Sequence, residues 1–75
     1  MVNHPNRNWQ RRWTVDLNTC TATHVDGWVF EFVEVEPGVW DGETIQTPEN
    51  ADFSQAARIA KEAGDIYNET LKRRH

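Results

Sequence analysis

Hydrophobic and polar residues alternate through the first half of this chain, and the densest apolar stretch is residues 27–35. Successive side chains of a β-strand point to opposite faces, so Trp28, Phe30 and Phe32 share one face. The other face carries valines, interrupted by Glu31. Aromatic and β-branched residues suit a pleated, half-buried surface. We therefore predict that this stretch is the central strand and that its aromatic face forms the core.

Two short alternating segments precede this strand and predict a hairpin. A two-residue turn at residues 18–19 pairs Trp13 with His24 and Val15 with Ala22. One face of the hairpin is then largely apolar and the other is polar, as a half-buried antiparallel pair requires.

The link from this hairpin to the central strand is predicted to be residues 25–27. A loop of this length pairs Ala22 with Phe30 and keeps the apolar residues on one face, because a one-residue slip would invert every side chain. It also places Gly27 at a position where such loops need a positive φ.

A Pro-Gly turn at residues 37–38 precedes a weaker alternating segment, residues 39–45. A three-residue loop would place Trp40 opposite Glu34, whereas a two-residue loop would oppose Glu34 and Asp41. Neither register avoids acidic residues that face each other across the two strands, so the pattern leaves both open. A glycine within this segment, at position 42, indicates a bulge or an irregular edge.

A helical pattern begins near Asp52, which forms a capping-box-like pair with Gln55, although Asp replaces the usual Ser or Thr. Apolar residues then recur every three or four positions and predict one buried stripe. The stripe consists of Phe53, Ala56, Ile59, Ala60, Ala63, Ile66, Tyr67 and Leu71. Gly64 lies in mid-helix, where we expect it to permit the close approach of an aromatic ring.

The predicted fold class is α+β: a three- to four-stranded antiparallel β-meander, followed by one C-terminal α-helix packed on one face of the sheet. Residues 1–8 show no periodicity and are predicted to be a flexible basic arm. Residues 9–75 are predicted to be a single small α+β domain, with the three small residues Ala56, Ala60 and Ala63 facing the large aromatic side chains of the sheet.

Composition changes this picture in two ways. A chain of 75 residues with 37% hydrophobic residues has little surface to bury. Its single cysteine, Cys20, excludes an intrachain disulfide, so self-association is the remaining source of added burial. No apolar run is long enough for a signal peptide or a membrane span, which predicts a cytoplasmic protein with no membrane partner.

The net charge of −4 conceals an uneven layout, because residues 13–51 contain eight acids and no Lys or Arg. Acids mixed with valines on the uncovered sheet face indicate a partner-binding surface. We predict a small non-enzymatic protein-interaction module that forms a homodimer, with a basic protein as another partner of its acidic surface. The candidate partner-binding residues are Val29, Glu31, Val33, Glu34, Val35, Asp41 and Glu43.

An alternative function comes from the N-terminal residues, which mix bases with tryptophans. Arg7, Arg11 and Arg12 would contact phosphates and Trp9 would stack on bases, as in a nucleic-acid accessory protein. The body behind this arm is acidic, however, which makes nucleic acid the less favoured partner.

No catalytic, metal or cofactor motif stands out in the sequence. The spacing of His4, His24, His75 and Cys20 matches no pattern of metal ligands. We interpret His24 as a hairpin residue beside Trp28, and Cys20 as a small buried side chain. We therefore expect no enzymatic activity and no cofactor.

Overall fold

Four antiparallel strands, in the spatial order β1-β2-β3-β4, form a meander in the computed structural model. The structure describes residues 5–73, with side chains from residue 9 onward. The elements are a 3-10 helix Pro5–Arg12, β1 Trp13–Asp16, β2 Thr21–His24, β3 Val29–Glu36, β4 Val39–Gln46, a second 3-10 helix Phe53–Gln55, and α1 Ala56–Arg73. The α+β class and the C-terminal helix packed on the sheet are as predicted.

The registers of the first three strands are those that the alternation predicts. Trp13 lies opposite His24, and Ala22 lies opposite Phe30. Gly27 has a φ of 112°, in the left-handed region that the loop between β2 and β3 requires.

The turn between β1 and β2 is wider than predicted and spans residues 17–20. An Asp16 carboxylate oxygen accepts hydrogen bonds from the backbone N–H groups of Asn18 and Thr19, at 2.9 and 3.4 Å. This side chain therefore organises the turn, as Asp commonly does. Cys20 closes it with a φ of 59°. The register is unchanged because the turn is one residue longer on each side.

The register between β3 and β4, which the sequence left open, places Trp40 opposite Glu34 and Gly42 opposite Phe32. Of the two features predicted at Gly42, the bulge is wrong, and the irregular edge is found nearer the ends of this strand pair instead. Gly42 has a different role: a Cβ atom there would come within 2.6 Å of Cε2 of Phe32. The glycine makes room for that ring.

Helix α1 follows a short 3-10 turn that Asp52 caps. The Asp52 carboxylate accepts hydrogen bonds from the Ser54 N–H at 3.0 Å and the Ser54 hydroxyl at 2.6 Å, and these bonds lower the pKa of Asp52. Gln55 donates to the same carboxylate at 3.4 Å. The cap therefore uses the two predicted residues in a variant of the capping box. No helix in the described part of the chain is long and apolar enough to cross a membrane.

The core lies between α1 and one face of the sheet. Its buried apolar residues are Trp13, Ala22, Trp28, Phe30, Phe32, Ile59, Ala63, Ile66 and Tyr67. The rings of Phe32 and Tyr67 stack with centroids 4.2 Å apart and planes inclined by 13°. This stack joins β3, one of the two longest strands, to helix α1.

The predicted helical stripe is correct at its centre and wrong at two positions. Ile59, Ala63 and Ile66 are buried, but Ala60 is exposed. At about 100° per residue, Ala60 lies on the same side of the helix as Tyr67, two turns further along, but its side chain ends at Cβ whereas the Tyr67 ring reaches Phe32 in the sheet. Phe53 is 69% exposed, since it precedes α1 and lies edge-on to Trp28. Consequently Ala60 does not face the sheet aromatics as predicted.

The predicted close approach of a ring to Gly64 is also wrong. A Cβ atom at Gly64 would meet nothing within 4 Å beyond its own helix backbone, and the close approach occurs at Gly42 instead.

We predict that the two glycines respond to alanine in opposite directions. Gly42→Ala should lower the free energy of unfolding by about 1–3 kcal/mol, because the new methyl overpacks Phe32 against Tyr67. Gly64→Ala should raise it by up to about 1 kcal/mol, since alanine is the better helix former and has open space. Urea unfolding of both variants, monitored by tryptophan fluorescence, measures these changes. Stabilisation by Gly42→Ala would contradict the contact with Phe32.

Candidate interaction surface

One face of the sheet is not covered by any element within the described residues. Helix α1 lies on the face that carries Phe30 and Phe32, and the opposite face is termed here the open face. Across β3 and β4 it places Glu31 opposite Glu43 and Val33 opposite Asp41. By strand alternation, its residues are Thr14, Asp16, Thr21, Thr23, Val29, Glu31, Val33, Val35, Val39, Asp41, Glu43 and Ile45. At the two irregularities, the register also places Gln46 opposite Val29 and Glu36 opposite Val39.

Aliphatic side chains on the open face remain in contact with water. Val33, Val35, Val39 and Ile45 are 54, 56, 50 and 53% exposed, respectively. Single exposed aliphatic residues are normal on proteins, but a group on one sheet face indicates a contact surface.

The charges on the open face all have one sign. Asp16, Glu31, Asp41 and Glu43 lie on it, and residues 13–51 contain no Lys or Arg that could neutralise them. Glu31 and Glu43 are directly opposite each other, an arrangement that is unfavourable between neighbouring strands. The face therefore has a negative potential, centred on β3 and β4.

The structure brings together six of the seven predicted partner-binding residues on this face: Val29, Glu31, Val33, Val35, Asp41 and Glu43. Glu34 lies on the other face, opposite Trp40, where its carboxylate accepts a hydrogen bond from the Gly38 N–H at 2.9 Å. Glu34 therefore stabilises the turn between β3 and β4.

Sequence analysis missed Val39 and Ile45, the apolar residues that β4 adds to the open face. The signal was the alternation of β4 itself. It could not be used because the register of β4 against β3 was left open.

Of the predicted nucleic-acid contacts, the structure describes the side chains of Trp9, Arg11 and Arg12. Trp9 is half-buried against the core, which leaves only part of its ring accessible for stacking on bases. Gln10 donates a hydrogen bond to Glu69 at 2.8 Å, which holds the end of the first 3-10 helix against α1. Arg11 and Arg12 are exposed, whereas nothing is described for the side chain of Arg7.

The predicted flexible arm, residues 1–8, is described only in part. Residues 1–4 lie outside the described residues, and the backbone from Pro5 belongs to the first 3-10 helix.

Several polar side chains connect the first hairpin to α1, on the face of the sheet that the helix covers. The indole N–H of Trp13 donates to Glu62 at 3.1 Å, and Arg58 donates to the other oxygen of the same carboxylate at 2.8 Å. His24 is 3% exposed and lies edge-on to Trp13, with ring centroids 4.8 Å apart. Its Nδ1 accepts a hydrogen bond from the Asp26 N–H at 3.1 Å.

The surroundings of His24 favour the neutral ring. With Nδ1 an acceptor, the ring proton belongs on Nε2, which has no hydrogen-bond partner among the described residues. Burial lowers the pKa of His24 below its ordinary value of 6.5, and Arg12 and Arg58 act in the same direction. Asp26 and Glu62 act against this shift.

Other ionisable groups do not assemble into a reactive centre. Burial and the neighbouring Cys20 thiol raise the pKa of Tyr67 to about 12, so its hydroxyl stays protonated. Within the described residues, no group of three or more His, Cys, Asp or Glu side chains is arranged to hold a metal ion. His4 and His75 lie outside those residues.

Comparison with protein-family models, with curated proteins and with solved structures found no match to this chain.

We predict that His24 makes the fold sensitive to mild acid. The folded pKa of His24 lies below the unfolded value, so the unfolded chain binds more protons as the pH falls. The stabilising contribution is complete above pH 6.5 and is lost as the pH falls from there towards the folded pKa. The free energy of unfolding should decrease by up to about 1.4 kcal/mol per pH unit in that window.

Urea titrations between about pH 7.5 and pH 5 measure this dependence, with His24→Phe as the control. The variant keeps a ring beside Trp13 and keeps His4 and His75, but it cannot titrate at position 24. It should be less stable than wild type at neutral pH by about 1 kcal/mol, since the Asp26 N–H loses its acceptor. Its pH slope should be nearly flat. An unchanged slope would show that His24 is not the responsible group.

Proposed function

We propose that this protein is a non-enzymatic protein-interaction module that binds a basic partner through its open face. One observation supports this above others: half-exposed aliphatic side chains share a sheet face with acids and with no base. Apolar contact supplies affinity, and charge of one sign selects the partner.

The partner expected from this chemistry presents Lys or Arg side chains between aliphatic ones. Such a surface covers Val33 and Val35 while its cations approach Glu31 and Glu43. Because these acids are exposed, their attraction is screened by salt and acts mainly on the rate of association. Binding should therefore weaken as the ionic strength rises.

A second copy of the chain is the competing partner, as the sequence predicts a homodimer. The aliphatic side chains favour such a contact, because a two-fold dimer would use the same patch on both subunits. The acids oppose it, because face-to-face packing would bring Glu31, Asp41 and Glu43 towards their own copies. We therefore rank a basic partner first. Half-buried Cys20, outside any disulfide, is consistent with the cytoplasm as the place of this interaction.

The proposal predicts that removing the negative charges of β3 and β4 from the open face abolishes partner binding. The test variant is Glu31→Gln, Asp41→Asn, Glu43→Gln. The matched control is Glu34→Gln, Glu49→Gln, Asp65→Asn, which changes the net charge equally at exposed positions off the open face. Affinity capture from the native host at low salt compares both with wild type. Wild type and control should retain the same basic proteins, released by salt, and the test variant should not.

Sedimentation equilibrium of the same proteins, with Val33→Asp added, separates the two partners. Wild type should remain monomeric at micromolar concentration. A dimer that Val33→Asp dissociates would make the second copy the partner. Retention of the same proteins by test variant and control would show that the open face is not the binding surface.

A further inference from the structure

Strand β4 lies at one edge of the sheet and is long enough to accept another strand. It has eight residues, Val39–Gln46. In the described part of the chain, nothing pairs with it on the side away from β3. The opposite edge strand, β1, has four residues and directly follows the first 3-10 helix. The longer edge is therefore the better template for strand addition.

The backbone groups on this free edge can be assigned from the hydrogen bonds of β3. The Phe32 N–H donates to the Cys20 carbonyl at 2.8 Å, so the even-numbered residues of β3 direct their backbone groups towards β2. The odd-numbered residues Glu31 and Val33 then direct their N–H and C=O groups towards β4, where they lie opposite Glu43 and Asp41. It follows that Trp40, Gly42 and Thr44 direct their N–H and C=O groups outward, away from β3.

The middle of this edge strand lacks three of the usual protections, a Lys, a Pro and a bulge, and its only protection is the like charge of Asp41 and Glu43. Residues 39–46 contain no Lys and no Pro. The irregularities of the β3–β4 pair fall beside Val29 and beyond Glu34, so the stretch from Trp40 to Thr44 is regular. A partner strand would find consecutive, evenly placed donors and acceptors there.

Charge decides which strand fits this edge. If two copies of β4 paired about a two-fold axis at Gly42, Asp41 of each would lie opposite Glu43 of the other, and like charges in that position are destabilising. A strand that carries Lys or Arg beside Asp41 and Glu43 reverses the sign of both contacts. Val39 and Ile45, at the two ends, require aliphatic neighbours.

We propose that the partner adds to β4 as an antiparallel strand, with two basic residues in alternate positions between two aliphatic ones. This rests on the proposed function and specifies how the partner binds: main-chain hydrogen bonds to Trp40, Gly42 and Thr44 give affinity, and the open face selects side chains. The basic and aliphatic side chains lie on the open face. The intervening residues, on the helix side, direct their N–H groups towards β4.

The test uses a nine-residue peptide in which Val, Lys, Lys and Val alternate with Thr. Two N-methylated versions remove backbone donors, one at the central Thr residues and one at the Lys residues. In the antiparallel arrangement the Thr N–H groups bond to β4 and the Lys N–H groups point away. Fluorescence anisotropy should show binding that weakens about tenfold or more with methylated Thr, and less than about twofold with methylated Lys.

A protein variant gives an independent measurement. Thr44→Pro removes an outward N–H without removing a bond to β3, so it should weaken the parent peptide while circular dichroism shows the fold retained. If the variant unfolds, the methylated peptides still decide the question, since they leave the protein unchanged.

Three results would overturn the inference. Equal binding of all the peptides, still dependent on Asp41 and Glu43, would leave the proposed function intact and exclude strand addition. No binding of the parent peptide at millimolar concentration would also exclude it, and the capture experiment would then judge the function separately. A wild-type dimer that Thr44→Pro dissociates would make the second copy the occupant of this edge.

Discussion

The stack of Phe32 on Tyr67 is the contact on which the arrangement of helix and sheet depends. The two rings are nearly parallel, and the absence of a side chain at Gly42 leaves room for the Phe32 ring. Among the described residues α1 is the only α-helix, so fixing it on one face leaves the other face in water. The chemistry of the open face follows from this constraint, because aliphatic residues there have no helix to cover them.

The first three strands could be predicted because only one register satisfied the alternation. Pairing Ala22 with Phe30 kept the aromatic side chains of these strands on one face, and the structure has that pairing. The register of β4 could not be predicted because each choice opposed some acids. What fixes it is a match of size, with Gly42 opposite the ring of Phe32. Hydrophobic periodicity does not contain information of that kind.

Only the residues that the odd–even alternation of β3 assigns to the open face could be predicted from the sequence. The alternation of β3 separates Glu31 and Val33 from the core. Glu34 was grouped with them because it is acidic, although its even position places it on the opposite face. The bond from Trp13 to Glu62 was out of reach for a different reason. It joins positions 49 residues apart, and no local pattern connects them.

The meander also determines the order in which contacts become available during synthesis. Each strand pairs with its neighbour in sequence, so every hairpin closes a short loop at a small entropic cost. The helix that shields Phe30 and Phe32 comes later in the chain than all four strands. We therefore expect the growing chain to expose both faces of its sheet until α1 emerges. During that interval the strand acids, which repel other copies, are the main protection against aggregation.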